Sequence, residues 1–171
     1  MDKKMFFGLL GILLVSVVLT IPLLRNNFSV NDGVHYKATV CVYKNDELIG
    51  CQHNLLTNGG KDMIRDALQG TSTTINQISL GHGAAPTASD TSLPSEYTDC
   101  GLAKATASTQ NLANHGNWSV YYTFTSTCDD KVVNTTGLYK NGGNLFAGTS
   151  FTSTTLQTDD QIKINWTISV S

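Results

Sequence analysis

Four cysteines, at positions 41, 51, 100 and 128, are the residues of this 171-residue chain best suited to covalent chemistry. Their even number fits two disulfides, for which three pairings exist. Cys41 and Cys51 are symmetric about Asp46, within the turn-forming stretch Lys44-Asn45-Asp46-Glu47. Cys100 and Cys128 are symmetric about Asn114, within the loop-like stretch from Asn111 to Asn117. Residues equidistant from an antiparallel turn face each other and bring their β-carbons to bonding distance. The spacing therefore predicts Cys41–Cys51 and Cys100–Cys128; neither spacing is that of a zinc site.

Other reactive side chains form no recognisable constellation. His35, His53, His82 and His115 share no metal-ligand spacing, and Gly81-His82-Gly83 is followed by Pro86 and no helix, so it is not a phosphate loop. No Gly-x-Ser-x-Gly elbow is present, and Glu47 and Glu96 are the only glutamates, which leaves no carboxylate pair to assign to glycoside chemistry. The expectation is a protein that is not an enzyme. Asp129-Asp130 and Asp159-Asp160 fall at expected strand junctions, where carboxylates and loop carbonyls can gather round a hard cation, with calcium the one cofactor they would suit. Acidic pairs more commonly solvate turns. Asn27, Asn117, Asn134 and Asn165 begin Asn-x-Ser/Thr sequons, candidates for glycosylation. With 14 asparagines and 34 serines and threonines after residue 25, about this many sequons arise by chance.

The elements that must position these groups are mostly strands. Charged residues make up 14% of the chain, against about 25% in ordinary globular proteins, and threonine takes their place. Threonine suits a pleated, half-buried surface and disfavours helix interiors. Val34 to Tyr43 alternates, with Val34, Tyr36, Ala38, Val40 and Val42 on one face, and Leu48 to Leu56 returns as its partner. Gly59-Gly60 interrupts the pattern. Lys61 to Leu68 reads as one short helix, with Met63, Ile64, Ala67 and Leu68 on a common face and Gly70 to end it. Ile75 to Leu80 is a short strand, and Gly81 to Glu96 an ordered loop of turn formers. Leu102–Thr109 and Trp118–Thr127 form a long hairpin, and Lys131–Tyr139 with Leu145–Phe151 a second one around Asn141-Gly142-Gly143. In the last strand Ile162, Ile164, Trp166, Ile168 and Val170 face one way. Short strands at this spacing predict a mainly β fold, an antiparallel β-sandwich of jelly-roll or immunoglobulin-like type with one short helix.

An apolar helix is expected to precede that domain. Lys3 and Lys4 are followed by an uncharged apolar run, Met5 to Leu24, long enough as a helix to span about 30 Å of hydrocarbon. Its length suits a retained signal-anchor with a cytoplasmic N-terminus. A cleaved signal is the alternative, with Val18-Leu19-Thr20 a poor cleavage site. Either way residues 1–25 export the rest, 26–34 form a linker or donor strand, and 35–171 form the sandwich. After residue 25 the chain has eight basic and twelve acidic residues, so no basic patch exists to neutralise phosphates, which argues against a nucleic-acid partner.

The run from His53 to Asp62 (HNLLTNGGKD), then Ile78 to Gly83 (ISLGHG), Ser89 to Leu93 (SDTSL) and Glu96, resembles a recurrent β-rich structural module. Gly116 to Phe124 (GNWSVYYTF), Gly137-Leu138-Tyr139, Phe146-Ala147-Gly148 and the terminal strand continue it. Similar modules occur in phage-like structural proteins and in subunits of archaeal extracellular filaments of the thread and cannula kind. The likeness covers roughly residues 35 to 171 and is a pattern of turns and strands, not a catalytic signature.

The resemblance implies a homopolymer at the cell surface, in which an N-terminal segment of one subunit completes the sandwich of the next. The donor would be the stretch with Phe28, Val30, Val34 and Tyr36, although Asn31-Asp32-Gly33 interrupts its alternation. Residues 1 to about 24 would have to be removed for such assembly. Two other readings use the apolar run differently. A type IV pilin-like subunit would be cut near Gly8 and pack the run in a filament core, but the acidic residue usual near its start is missing. A monomeric domain anchored to the membrane by the run would bind a glycan or another partner; Trp118 and Trp166, in alternating strands, are expected in the core instead of on a sugar-binding face.

Overall fold

The computed structural model describes residues 35–171. The apolar run Met5–Leu24 and the donor candidates Phe28, Val30 and Val34 lie outside the described residues. The elements in chain order are β1 (Tyr36–Lys44), β2 (Glu47–His53), β3 (Leu55–Leu56), α1 (Asn58–Leu68), β4 (Ile75–Gly81), β5 (Ala105–Thr106), β6 (Ser108–Asn111), β7 (Asn117–Thr125), β8 (Lys131–Lys140), β9 (Leu145–Leu156) and β10 (Gln161–Val170). They form two five-stranded antiparallel sheets, in the orders β2-β1-β10-β7-β6 and β3-β9-β8-β4-β5.

The period-2 pattern decides which side of each strand is buried. Ala38, Val40 and Val42 of β1 and Ile162, Ile164, Trp166 and Ile168 of β10 turn inward from the first sheet, nearly or wholly out of solvent. They meet Ile78, Leu80, Val133, Leu138, Phe146 and Leu156 from the second sheet in one continuous core. Each fully buried aliphatic side chain of this kind contributes about 1.5–3 kcal/mol relative to exposure. The result is a sandwich, mainly β, with one short helix.

The two ends of the sandwich differ. At one end the β1–β2 turn, the β7–β8 loop and the β9–β10 turn meet. Asn45 N donates to Gln161 O (2.9 Å) and Ser126 N to Asp160 O (2.9 Å). Asn45 and Asp46 both take positive φ (49° and 65°), as a tight hairpin turn of the primed type requires. At the other end His35 and Ser171 exchange backbone hydrogen bonds of 2.7 and 3.1 Å, beside α1.

Three expectations need correction. The return arm expected over Leu48–Leu56 is divided: Glu47–His53 pairs with β1, and Leu55–Leu56 pairs with β9 in the other sheet. The arm Leu102–Thr109 is not one strand of a long hairpin. Ala105–Thr106 pairs with β4 in one sheet, and Ser108–Asn111 pairs with β7 in the other. The chain changes sheets at the buried Ala107, which closes that side of the sandwich. The helix also begins three residues earlier than expected, through Gly59-Gly60. Thr57 caps it: its Oγ1 accepts from Gly60 N (3.0 Å) and donates to Leu145 O (2.7 Å). A β-carbon on Gly60 would lie 2.1 Å from Phe146 O, so only glycine lets α1 sit this close to β9.

The loop from His82 to Lys104 lies over the outer face of the second sheet. There Leu93, Tyr139 and Leu145 form a small second core. The Tyr139 hydroxyl accepts from Leu93 N (2.6 Å) and donates to Glu96, whose other oxygen is 3.2 Å from Lys104 Nζ. Burial first, and the adjoining Glu96 carboxylate second, push the Tyr139 hydroxyl well above its ordinary pKa.

Candidate functional site

Strand β9 is the longest among the described residues, and its sequence explains how it is used. Leu145-Phe146-Ala147-Gly148-Thr149 is buried throughout, whereas beyond it only Phe151 and Leu156 are buried and Ser150, Thr152, Ser153 and Thr155 are exposed. On one side β9 pairs with β8 from Leu145 to Ser150 and again from Thr154 to Leu156, with a bulge at Phe151–Ser153 between the two stretches. On the other side β3 covers only Ala147 and Gly148. Past that point Thr149 Oγ1 donates to His53 O (2.9 Å) and Lys44 Nζ donates to Thr155 O (2.8 Å). Between those two contacts, among the described residues, no strand is hydrogen-bonded to this side of β9, although β2 of the other sheet passes close alongside it.

This lane is chemically bare. From Leu145 to Leu156 there is no charged residue and no proline, the devices that usually keep an edge from pairing with another chain. The other edges are better protected. β6 has four residues and β5 two. The rest of β4 is covered by Ala107 N donating to Asn76 O (2.7 Å) and Tyr97 N to Leu80 O (2.8 Å). β2 begins with Glu47, and its ladder with β1 is broken by a bulge at Val42/Tyr43. Small hydroxyl side chains flank this side of β9, and an extended segment laid along it would meet backbone not bonded to another described strand.

The residues singled out from sequence are placed as follows. Cys41 is bonded to Cys51, its direct partner in the β1–β2 ladder. Cys100 is bonded to Cys128, but not across a hairpin: Cys100 lies in a turn with φ 54°, and Thr127 N donates to its carbonyl (3.0 Å). Tyr36 is the first residue of β1, paired with Val170; its ring packs edge-on to Phe146 (5.6 Å) and its hydroxyl accepts from Asn54 Nδ2 (2.8 Å). Burial raises that hydroxyl far above its ordinary pKa, opposed by the Asn54 bond.

The two acidic pairs come together at the turn end. Asp129 accepts from Thr158 N (2.8 Å), which holds its carboxyl below the usual range. Asp160 accepts from Gln157 N (2.8 Å), Asn45 Nδ2 (2.8 Å) and Lys44 Nζ (2.9 Å), and these bonds depress its pKa strongly. Asp130 accepts from Gln157 Nε2 (3.0 Å), and Asp159 has φ 68° in the turn. These contacts use the carboxylates to fasten one turn to another. Among the described residues no group of three or more His, Cys, Asp or Glu side chains is arranged to hold a metal ion.

Of the sequons, Asn117 opens β7 and is half-buried. Asn134 donates through Nδ2 to Gly83 O (3.2 Å), with its Oδ1 buried. Asn165 lies between Cys41 and Tyr121 in the ladder, its Oδ1 also buried, and Asn27 lies outside the described residues. His35 and His53 line one open cavity of about 460 Å³ with Lys37 and Asn54, His82 stands 5.0 Å from the Tyr97 ring, and His115 is exposed in the loop before β7. Trp166 is fully buried, whereas Trp118 is half-buried at the α1 end.

The β9 lane has no signature in the sequence. Alternation records which face a residue takes, not whether a neighbouring strand is present. Comparison with known proteins returns no matching family model, no matching curated protein and no matching solved structure.

Proposed function

We propose that this protein is a structural subunit of an extracellular surface filament, joined to its neighbours by addition of a strand along the open side of β9. The observation that supports this reading is the length and chemistry of that lane, not hydrogen-bonded to another strand between Ser150 and Thr154 among the described residues and free of charge and proline. Seven residues, Ser150 to Leu156, run about 23 Å. The nine residues 26–34 extend to about 30 Å, enough for a donor from a second copy to fill the lane. Tyr36 is already part of β1, so Phe28, Val30 and Val34 are the side chains left to donate. Two disulfides in a domain of this size suit an oxidising, extracellular setting. The residues 1–25 would serve export and be removed before assembly.

Substitution of Thr152 and Ser153 by lysine tests the lane, because both side chains are exposed and neither serves the core. Fibres seen in wild-type surface material by negative-stain microscopy should disappear in the T152K/S153K variant, with its melting temperature within about 2 °C of wild type. Mass spectrometry of the mature N-terminus should show a cut near Leu24. Persisting fibres in the lysine variant, or a membrane-extracted monomer that retains Met1, would overturn the reading.

A further inference from the structure

The α1 end of the sandwich holds an apolar groove of about 250 Å³. Met63, Ile64 and Leu68 of α1 line it with Tyr36, Trp118 and Phe146. Leu68, at its lip, is 73% exposed, an unusual position for a leucine on the apolar side of an amphipathic helix. Around the groove the charge balance is positive: Lys37, Lys61, Arg65 and Lys140 against Asp62, Asp66 and Asp90. The histidines His35 and His115 stand at this end as well.

The opposite, turn end has the complementary character. Asp46, Glu47, Asp99 and the two aspartate pairs 129–130 and 159–160 gather there, against Lys44, Lys131 and Lys163. One end thus carries a net charge of −4 and the other +1, with histidines neutral. Beside the β1–β2 turn Leu48 is 53% exposed, an apolar side chain on the acidic end. A single exposed leucine is ordinary on a protein surface, so Leu48 matters here only as the apolar side chain this end could bring to the groove.

We propose that copies of this protein stack head to tail, the acidic turn end of one, with Leu48, seating on the groove end of the next. This rests on the filament reading and names a second contact, separate from the β9 lane, that sets the axial direction. Two unlike ends that fit each other make a heterologous interface, which repeats without closing. Opposite charge on the two ends orients the approaching copies and disfavours like ends meeting. The groove supplies the burial that charge alone does not.

Charge reversal on the intact mature protein tests this by sedimentation velocity. Glu47 and Asp99 are exposed on the acidic end; Lys37 and Lys61 are exposed on the groove end. The E47K/D99K variant and the K37E/K61E variant should each associate at least tenfold more weakly than wild type at 50 mM NaCl. Mixed in equal amounts they should associate more tightly than either variant alone, because in an alternating stack the two unaltered ends meet again and at the other contact the introduced lysines face the introduced glutamates. Wild-type association should weaken at 500 mM NaCl. If both reversed variants associate like wild type while T152K/S153K abolishes fibres, head-to-tail stacking is wrong and strand addition stands. If wild type is monomeric at every salt concentration, both readings fail. Closed dimers lost in L68D but indifferent to E47K/D99K would show grooves meeting grooves, which also overturns the proposal.

Discussion

Adjacent glycines at the start of α1 should respond to alanine in opposite directions. At Gly59 an added β-carbon would have Leu145 O at 3.5 Å as its nearest neighbour, an ordinary contact. Glycine in a helix interior costs about 1 kcal/mol relative to alanine, so Gly59→Ala should stabilise by up to about that amount, less near a helix end. At Gly60 the same carbon would stand 2.1 Å from Phe146 O and 2.8 Å from Leu56 Cδ1. The carbonyl cannot yield without disturbing β9, so the helix must shift by about 1 Å. That shift pulls at Thr57, whose Oγ1 bonds Gly60 N and Leu145 O and whose N bonds Phe146 O (3.1 Å). Losing two such buried hydrogen bonds at about 1 kcal/mol each, with part of the cap, gives about 2–4 kcal/mol for Gly60→Ala. In a domain this size that is a fall of about 6–16 °C in melting temperature, read by circular dichroism with the disulfides intact. A Gly60→Ala protein as stable as wild type would refute the close approach of α1 to β9, and with it the shape of the groove.

Two further outcomes follow from bonds at the turn end and from the cystines. Asp160 has its pKa lowered in the folded protein, so it binds its proton less readily there than when unfolded; its contribution is present above the ordinary carboxylate range and lost as pH falls through and below about 4. Asp160→Asn should therefore be less stable than wild type at pH 7, with the gap narrowing steadily below about pH 4 in urea titrations and part of it remaining at pH 2; a gap constant with pH would refute the assignment. The Cys100–Cys128 link spans 28 residues and Cys41–Cys51 spans 10, so chain entropy assigns them about 3.6 and 2.7 kcal/mol respectively. Paired cysteine-to-serine variants should rank in that order in urea midpoints, and the reverse order would show that the links act on the folded state instead.

Much of the fold is legible in the residues, for a physical reason. Ile162, Ile164, Trp166 and Ile168 alternate with polar neighbours because one face of a sheet meets the core, and all four are fully buried. The alternation through Ala105 and Ala107 misleads for the same reason: it continues smoothly while the chain passes from β4's side to β7's, because a change of sheet at a corner does not interrupt an extended backbone. Gly59-Gly60 reads as a break by propensity, yet tertiary contact requires glycine there, and the Thr57 cap outweighs the cost. Cys100 illustrates a different gap, since a link between a turn and a strand end obeys no hairpin symmetry.

The open lane and the groove have a common local origin. β2 is held in the first sheet as far as His53 by its ladder with β1 and by the Cys41–Cys51 link, and Asn54 N still donates to Ala38 O (3.4 Å). Thr57 is committed to capping α1 through the carbonyls of Leu145 and Phe146. Only Leu55 and Leu56 remain between these two constraints, too few to cover a twelve-residue neighbour. β9 in turn cannot shorten, because both its ends pair with β8 and it carries Phe151 and Leu156 into the core. An early crossing and an early helix thus leave one side of β9, among the described residues, without a hydrogen-bonded strand over most of its length, and that same helix walls the groove at the end of the sandwich. A monomer gains nothing from an edge that is long and uncharged. A subunit that takes a strand from its neighbour does, since the backbone groups left unpaired in isolation become the contacts that hold the polymer together.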